Sequence, residues 1–290
     1  MNRIHSDIFF FSFFFGCVFC AFCSFVDNLV GFWVFLELCS LSIIPSFFCN
    51  VDFNVYSFYN SVLTYIVVSS LSSVLFFVGF LWFEVYYFIY WAFALKLGLF
   101  PFSLWVYRVF DNVNWVFIFL LSVVLKFPVL FFSFIFNSVN YFMVYFDCFL
   151  TLLMCTFYIW FFSVSWNYVW CHISLASVST LMVSCFCSDF FICCFIYFYY
   201  FLWAVFCCCY FSYVSSYLGI KGSFWVFCFL LLVTPVSLPL FYKLSVCVGV
   251  VGSSFYVLFV WSLYSFSEQL FLYKLGGDYF YSSSYNHWLG

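Results

Sequence analysis

Four ionisable side chains, Glu37, Lys96, Lys126 and Lys243, stand inside stretches otherwise built from Phe, Leu, Val, Trp and Cys. A charge at mid-bilayer costs roughly 2.5 to 3.5 kcal/mol on insertion scales, so three lysines and a glutamate there call for a function, and a proton or ion path is the default. Counted from the chain breaks at Glu84 and Asn114 at about 1.5 Å per residue, Lys96 and Lys126 reach roughly 17 Å, near the bilayer midplane. That is too deep for the ammonium to snorkel, and both should face the interior of a helix bundle. Glu37, in Phe32-Trp33-Val34-Phe35-Leu36-Glu37-Leu38, is similarly central and wants a lysine partner. A buried Glu–Lys pair can hold its charges or pass one proton with modest change in energy, as a membrane relay requires. The simpler reading, structural ion pairs that fix helix register, leaves one acid to neutralise three lysines.

The elements that position these residues follow from composition. Of 290 residues, 69% are hydrophobic and 6% charged, and mean hydropathy is +1.21. A soluble domain carries about a quarter charged residues. Residues 1–290 are therefore read as one all-α polytopic membrane domain. With spans of about 20 residues as the ruler, helices are expected near 8–26, 29–49, 58–82, 85–107, 113–136, 141–163, 167–187, 189–212, 224–246 and 248–272, about ten in all. Aromatic residues make up 31% of the chain, more than interfacial belts need. Phe, Leu, Val, Trp, Cys and Gly can all be spelled with T and G alone, which suggests the skewed codons of an organelle gene. No signal or transit peptide is read at the start. The 17 cysteines include Cys17, Cys20 and Cys23 at a spacing that superficially suits an iron–sulfur centre. The run lacks a following ligand with proline and lies in an apolar helix, where Cys serves as a small hydrophobe. No metal or cofactor site is expected in the chain.

Two helices are interrupted, at Lys96-Leu97-Gly98-Leu99-Phe100-Pro101 and at Thr234-Pro235-Val236-Ser237-Leu238-Pro239 before Lys243. Proline frees carbonyls that only protein or trapped water can satisfy in hydrocarbon. Paired broken helices in two halves of a chain point to a transport site between inverted repeats. With ten spans, Arg3, Arg108, Lys221 and Lys274 fall on one side, which the positive-inside rule makes the matrix or cytoplasm, with the N-terminus there. Asp27, Glu84, Asp147 and Asp189 mark the opposite face.

The segment Ala94-Leu95-Lys96-Leu97-Gly98-Leu99-Phe100-Pro101-Phe102-Ser103-Leu104-Trp105-Val106 resembles the K-L-G-x-x-P-F-H-x-W-V-P segment of NADH:ubiquinone oxidoreductase chain 2, an antiporter-like membrane subunit of respiratory complex I. Leu125-Lys126-Phe127-Pro128-Val129-Leu130 resembles that family's next lysine helix, Q-K-x-A-P-x-x-L. Upstream, Trp33 to Pro45 resembles W-x-x-x-E-x-x-x-x-x-x-x-P, and Leu238-Pro239-Leu240-Phe241-Tyr242-Lys243 resembles L-P-P-L-x-G-F-x-x-K. The four motifs occur in the family's order over residues 30 to about 250. The glutamate helix is second from the start, as in N-terminally shortened versions of chain 2, although ten spans fall one helix short of that form.

The resemblance implies an antiporter-like, proton-translocating subunit of the mitochondrial inner membrane without redox chemistry of its own. NADH, FMN, iron–sulfur clusters and ubiquinone belong elsewhere in the complex. Other membrane-arm subunits and lipids are the implied partners, and nucleic acid is not. Glu37 would modulate Lys96, Lys126 would relay, and Lys243 would be the terminal proton donor or acceptor. Ser103 replaces the family's histidine after P-F, and Tyr107-Arg108 replaces its Pro-Glu. His172-Ile173-Ser174-Leu175-Ala176-Ser177-Val178-Ser179 resembles Y-S-S-I-A-H-x-G, with Ser177 in the histidine's place. His172 is expected at the interface near Trp170, with substitution for the missing histidine as the alternative. His5 and His287 are expected to be solvated. A free-standing cation/proton antiporter, or chain 4 or 5 of the same complex, would use the same lysines.

Overall fold

The computed structural model describes residues 2–49, 55–135, 140–163, 165–216 and 224–280. Lys221, His287, the segment 282–290 and the side chains of Arg3 and His5 lie outside the described residues. The described residues form thirteen α-helices and no strand: α1 Asn2–Cys23, α2 Leu29–Ile43, α3 Val55–Leu81, α4 Tyr87–Leu97, α5 Leu104–Asp111, α6 Trp115–Ser122, α7 Val129–Ile135, α8 Tyr141–Phe161, α9 Trp166–Cys187, α10 Phe190–Ser216, α11 Phe224–Leu231, α12 Leu238–Val250 and α13 Phe255–Phe280. Helix is the outcome because hydrocarbon supplies no partner for backbone N–H and C=O groups, and a helix satisfies its own. Among them, seven helical stretches are long and apolar enough to cross a membrane, and Asp7–Cys23, Tyr87–Leu97 and Leu238–Val250 are shorter apolar helices. Counting α4 with α5 and α11 with α12 gives the ten expected spans.

The molecule is an all-α polytopic membrane bundle. Helix α9 is its axis, buried without a gap from Val169 to Ser184. Around it pack α8, α5, α7, α10 and α12, while α13 rests on α8, and α1 with α2 and α3 with α4 form outer pairs. Phe25, Phe157, Phe191, Trp225 and Phe255 are among the large apolar side chains on the outer surface, as expected where lipid is the solvent.

Three spans are interrupted, not two. Helix α4 stops at Gly98, whose φ of 76° is left-handed. A Cβ there would sit 2.3 Å from Val106 Cγ2. Leu99 N donates back to Ala94 O at 2.9 Å, closing the helix end, and Trp105 Nε1 donates to Leu95 O at 2.9 Å. The fifth span, read from the sequence as continuous over 113–136, breaks between α6 and α7 in a 3₁₀ turn, Val124–Lys126. Pro128 has no N–H for Val124 O, which accepts instead from Phe127 N at 3.1 Å and Cys20 Sγ at 3.2 Å. Between α11 and α12, Pro235 withholds the N–H that Leu231 O would have received, and Gln269 Nε2 of α13 donates there at 3.3 Å. Leu230 O, also at this break, accepts Trp203 Nε1 at 2.7 Å. Side chains from neighbouring helices thus meet the polar groups that the breaks release.

Candidate functional site: a buried row of carboxylates and lysines

The breaks determine where the charges lie. Lys96 is in the last turn of α4, Lys126 at the end of the 3₁₀ turn between α6 and α7, and Lys243 in α12 after the third break. The backbone carbonyls that the lysines meet belong to other helices: Leu36 O of α2, Ser174 O of α9 and Ser265 O of α13.

Lys96 and Glu37 form an ion pair, with Nζ 2.7 Å from Oε1, and their side chains are 9% and 20% exposed. Lys96 Nζ also donates to Leu36 O at 3.3 Å. Ser40 Oγ lies 3.4 Å from Glu37 Oε2 and 3.4 Å from Ser69 Oγ, while Tyr65 Oη donates to Ser40 O at 3.1 Å. The glutamate is held by a small hydroxyl network on α2 and α3.

Lys126 has no acid partner among the described residues. Its ammonium is buried and donates three hydrogen bonds, to Ser174 O at 2.8 Å, Ser177 Oγ at 2.7 Å and Tyr200 Oη at 2.9 Å. It also stands 4.3 Å from the centroid of the Tyr200 ring, a cation–π distance. All three donors are used, so the charge is solvated by neutral dipoles. A cavity of about 20 Å³ lies between Lys96 and Lys126, walled by Val106, Ser122, Leu125, Ser174 and Val178. It has room for about one water with polar partners on both sides.

Lys243 is paired as well, contrary to the expectation of a single acid among three lysines. Glu268 Oε1 lies 3.3 Å from Lys243 Nζ, with Lys243 14% and Glu268 3% exposed, and Lys243 also donates to Ser265 O at 3.3 Å. Glu268 escaped the sequence reading because the last span was drawn over 248–272, which put this acid near a helix end. In the structure α13 runs from Phe255 to Phe280 and Glu268 is at its middle. The criterion that found Glu37, an acid at the centre of an apolar span, would have found it with the correct boundary. The same shift places Lys274 inside α13, six positions from its last residue.

Two further expectations change. His172 is fully buried in α9, not interfacial. Its Nδ1 shares a hydrogen bond of 2.8 Å with Tyr107 Oη from α5, and its Nε2 has no partner among the described residues. The position at which tyrosine replaces the family's proline is thus the one that holds the histidine. Asp147, expected at the opposite membrane face, is 3% exposed. It is the seventh residue of α8, roughly 9 Å along the helix axis from its start, and Tyr90 of α4 faces it. Asp27 and Asp189 do lie in the breaks where they were placed, and Glu84 in a 3₁₀ turn.

Helix α9 connects the lysines. Ser174 and Ser177 receive Lys126, and the hydroxyl of Tyr242, the residue before Lys243, faces Ser177 and Thr180. Glu37 thus meets Lys96, the small cavity separates Lys96 from Lys126, Lys126 meets Ser177, and Lys243 meets Glu268. Two acid–lysine pairs flank one lysine held by neutral groups. Such an arrangement can store protons at three amines and two carboxylates, with hydroxyls able to both donate and accept between them.

No family model and no curated protein matches the sequence. Among solved structures, the chain is similar to a chain of respiratory complex I from Thermus thermophilus with bound aureothin. The TM-score is 0.72 at 14% sequence identity, covering 93% of this chain and 69% of that one. At this identity the likeness establishes a shared fold.

Proposed function

We propose that the chain is a proton-translocating, antiporter-like membrane-arm subunit of respiratory complex I, with chain 2 as the member its motifs fit best. The carrying observation is the buried row itself. The fold is similar to that of a complex I chain, and inside it Glu37 and Lys96 meet at 2.7 Å while Lys126 has no acid partner among the described residues. A buried lysine without an acid partner among the described residues is poorly explained by stability, since burial of an ion penalises its charge. As a proton carrier it makes sense: its charge is easily lost and regained when a neighbour changes state.

In this mechanism Glu37 sets the charge of Lys96. Lys126 first gives a proton toward Lys243, and when Lys96 is released from Glu37 a proton crosses the one-water gap to the emptied Lys126 amine. Each transfer changes the local field, and in a low dielectric that change reaches the next amine. NADH oxidation and quinone reduction would take place in other subunits, with this chain supplying the proton path in a mitochondrial inner membrane from an organelle-encoded gene. His172, hydrogen-bonded to Tyr107, would tune the field at α9.

Native electrophoresis with mass spectrometry tests the assembly: the chain should migrate with a large NADH-oxidising complex. A chain that migrates alone and exchanges cations for protons when reconstituted would instead be a free-standing antiporter. Lys96→Met or Lys126→Met should lower protons moved per NADH while assembled complex remains detectable. Unchanged pumping in both assembled variants would refute the relay.

A further inference from the structure

The cysteines are free thiols, and two of them touch across the first helical pair. Cys20 of α1 and Cys39 of α2 are 3% and 0% exposed, and their sulfurs lie 3.1 Å apart. Cys39 Sγ also reaches the carbonyl of Gly16, one turn before Cys20, at 3.6 Å, so the two helices are in close contact at this level. A disulfide bond is about 2.05 Å long, so closing one here asks for roughly 1 Å of approach between side chains already in contact. Helix α1 lies at the edge of the bundle, with Phe10, Phe14 and Phe22 turned outward and Cys17, one turn from Cys20, partly exposed.

The pair touches both sides of the charged row. Cys20 Sγ donates to Val124 O at 3.2 Å, the carbonyl that Pro128 leaves without its helical donor, in the 3₁₀ turn that ends at Lys126. The other donor to Val124 O is Phe127 N at 3.1 Å. Cys39 stands two positions after Glu37 on α2, and Glu37 is the partner of Lys96.

We propose that Cys20 and Cys39 are a redox-modifiable dithiol, closed to a disulfide by a membrane-soluble hydroperoxide, and that closure alters the turn that carries Lys126. In the first step the O–O bond breaks as one oxygen bonds to Cys39 Sγ, and the thiol hydrogen leaves with the other oxygen as an alcohol. Cys39 is then a sulfenic acid, which condenses with a neighbouring thiol. Cys20 Sγ attacks the Cys39 sulfur, the S–O bond breaks, and the Cys20 hydrogen leaves with the hydroxyl as water. Two thiols and one hydroperoxide become one disulfide, one alcohol and one water, and the two electrons lost by sulfur go to the O–O bond. Enclosure makes closure slow, because the thiolate is the attacking form, and lasting, because water-soluble thiols do not reach the bond. Both S–H donors are lost. Val124 O keeps Phe127 N, and α2 is drawn toward α1 two residues from Glu37. The dithiol chemistry is independent of the proton path, whereas its effect on pumping rests on the relay reading.

The test uses native membranes containing the full chain, treated with tert-butyl hydroperoxide, then alkylated and digested for mass spectrometry. A peptide linking Cys20 to Cys39, lighter by two hydrogens than its two halves, should grow with exposure to the oxidant. It should open with tributylphosphine, which enters membranes, and persist in glutathione. Protons moved per NADH should fall in proportion to the linked fraction and recover with the phosphine. Cys39→Ser should pump as the parent does before treatment and lose both the link and the oxidant-dependent decline. Cys20→Ser, whose hydroxyl can still donate to Val124 O, serves as the second variant and should behave alike. Absence of the link in membranes where the exposed Cys209 is fully oxidised, or oxidation that stops at Cys17, would overturn the dithiol. A link that leaves pumping unchanged, or a decline that persists in both variants, would overturn its effect on the turn if Lys126→Met lowers pumping. Normal pumping in Lys126→Met would overturn the relay and leave the dithiol standing.

Discussion

The Glu37–Lys96 pair allows the energetics of the row to be worked out. Replace Glu37 with Gln. At 2.7 Å and an effective dielectric of about 20, the attraction lost is about 6 kcal/mol. The amide oxygen of the new side chain still accepts one hydrogen bond from Lys96, and Leu36 O remains at 3.3 Å, which together return about 1.5 to 3 kcal/mol. The net penalty, about 3 to 5 kcal/mol, matches what is found when one member of a buried ion pair is removed. Because the Glu37 side chain is 20% exposed, the lower end applies. The companion Lys96→Gln strands the carboxylate, which escapes more cheaply by taking a proton. In the double variant both charges are gone and two amides share a hydrogen bond. The assay is a double-mutant cycle on the amount of NADH-oxidising complex that survives graded heating, resolved by native electrophoresis. Glu37→Gln should leave much less complex than the parent, and the double variant should recover most of it, a coupling of at least about 2 kcal/mol. Proton pumping should stay low in all three. If the two single losses add, or if the double variant is as unstable as Glu37→Gln, the pair is not coupled and the charge argument for this end of the row fails.

Other positions test other links. Ser177→Ala removes one of three acceptors from the Lys126 ammonium and should slow pumping several-fold while assembly changes little, which pumping rates at saturating NADH can check. Trp203→Phe leaves Leu230 O without its 2.7 Å donor, a loss of about 1 to 3 kcal/mol for a buried carbonyl, so the variant complex should inactivate at a lower temperature. Gly98→Ala combines a left-handed φ with a Cβ 2.3 Å from Val106 Cγ2. At roughly 1 to 3 kcal/mol for the backbone alone, it should reduce assembled complex more than Ala substitution at Gly252, where a Cβ would meet Cys187 O at an ordinary 3.8 Å.

The membrane class, the ten spans and the inward placement of Glu37, Lys96, Lys126 and Lys243 were legible because hydrocarbon imposes one rule on every residue: an apolar side chain needs no explanation there and a charged one does. Lys96 and Lys126 stood out for that reason, and the break at Gly98 was marked by its own residue types. What escaped detection depended on helix ends. An error of eight positions at the C-terminal end of the last span moved Glu268 from a helix centre to its edge, and with it the partner of Lys243. His172 was misplaced by the same logic in reverse: its distance from the helix start suggested an interface, whereas the helix it belongs to is enclosed by neighbours on all sides, a tertiary fact that a single span does not encode. Gln269 illustrates a third case. Pro235 announces that Leu231 O lacks a donor, but which helix brings the replacement depends on packing.

The three breaks and the three lysines belong to one design. Each lysine lies on an interrupted span and donates to a carbonyl of another helix, Leu36 O, Ser174 O or Ser265 O. Where the ladder is interrupted, side-chain donors meet the freed carbonyls: Trp105 beside Lys96, Tyr197 and Cys20 around the turn that carries Lys126, and Trp203 and Gln269 before Lys243. The acids are not on the broken helices. Glu37 belongs to α2 and Glu268 to α13, both outside the central group around α9. Counter-charges on helices without these breaks and amines on interrupted spans mean that a small movement of a broken segment alters each acid–lysine distance without moving the acid. At separations of about 3 Å, stretching a pair to about 6 Å halves its attraction, a change of about 2 to 3 kcal/mol at an effective dielectric near 20. That change is enough to shift a proton between neighbouring sites by more than tenfold, so small displacements at the breaks can drive the row.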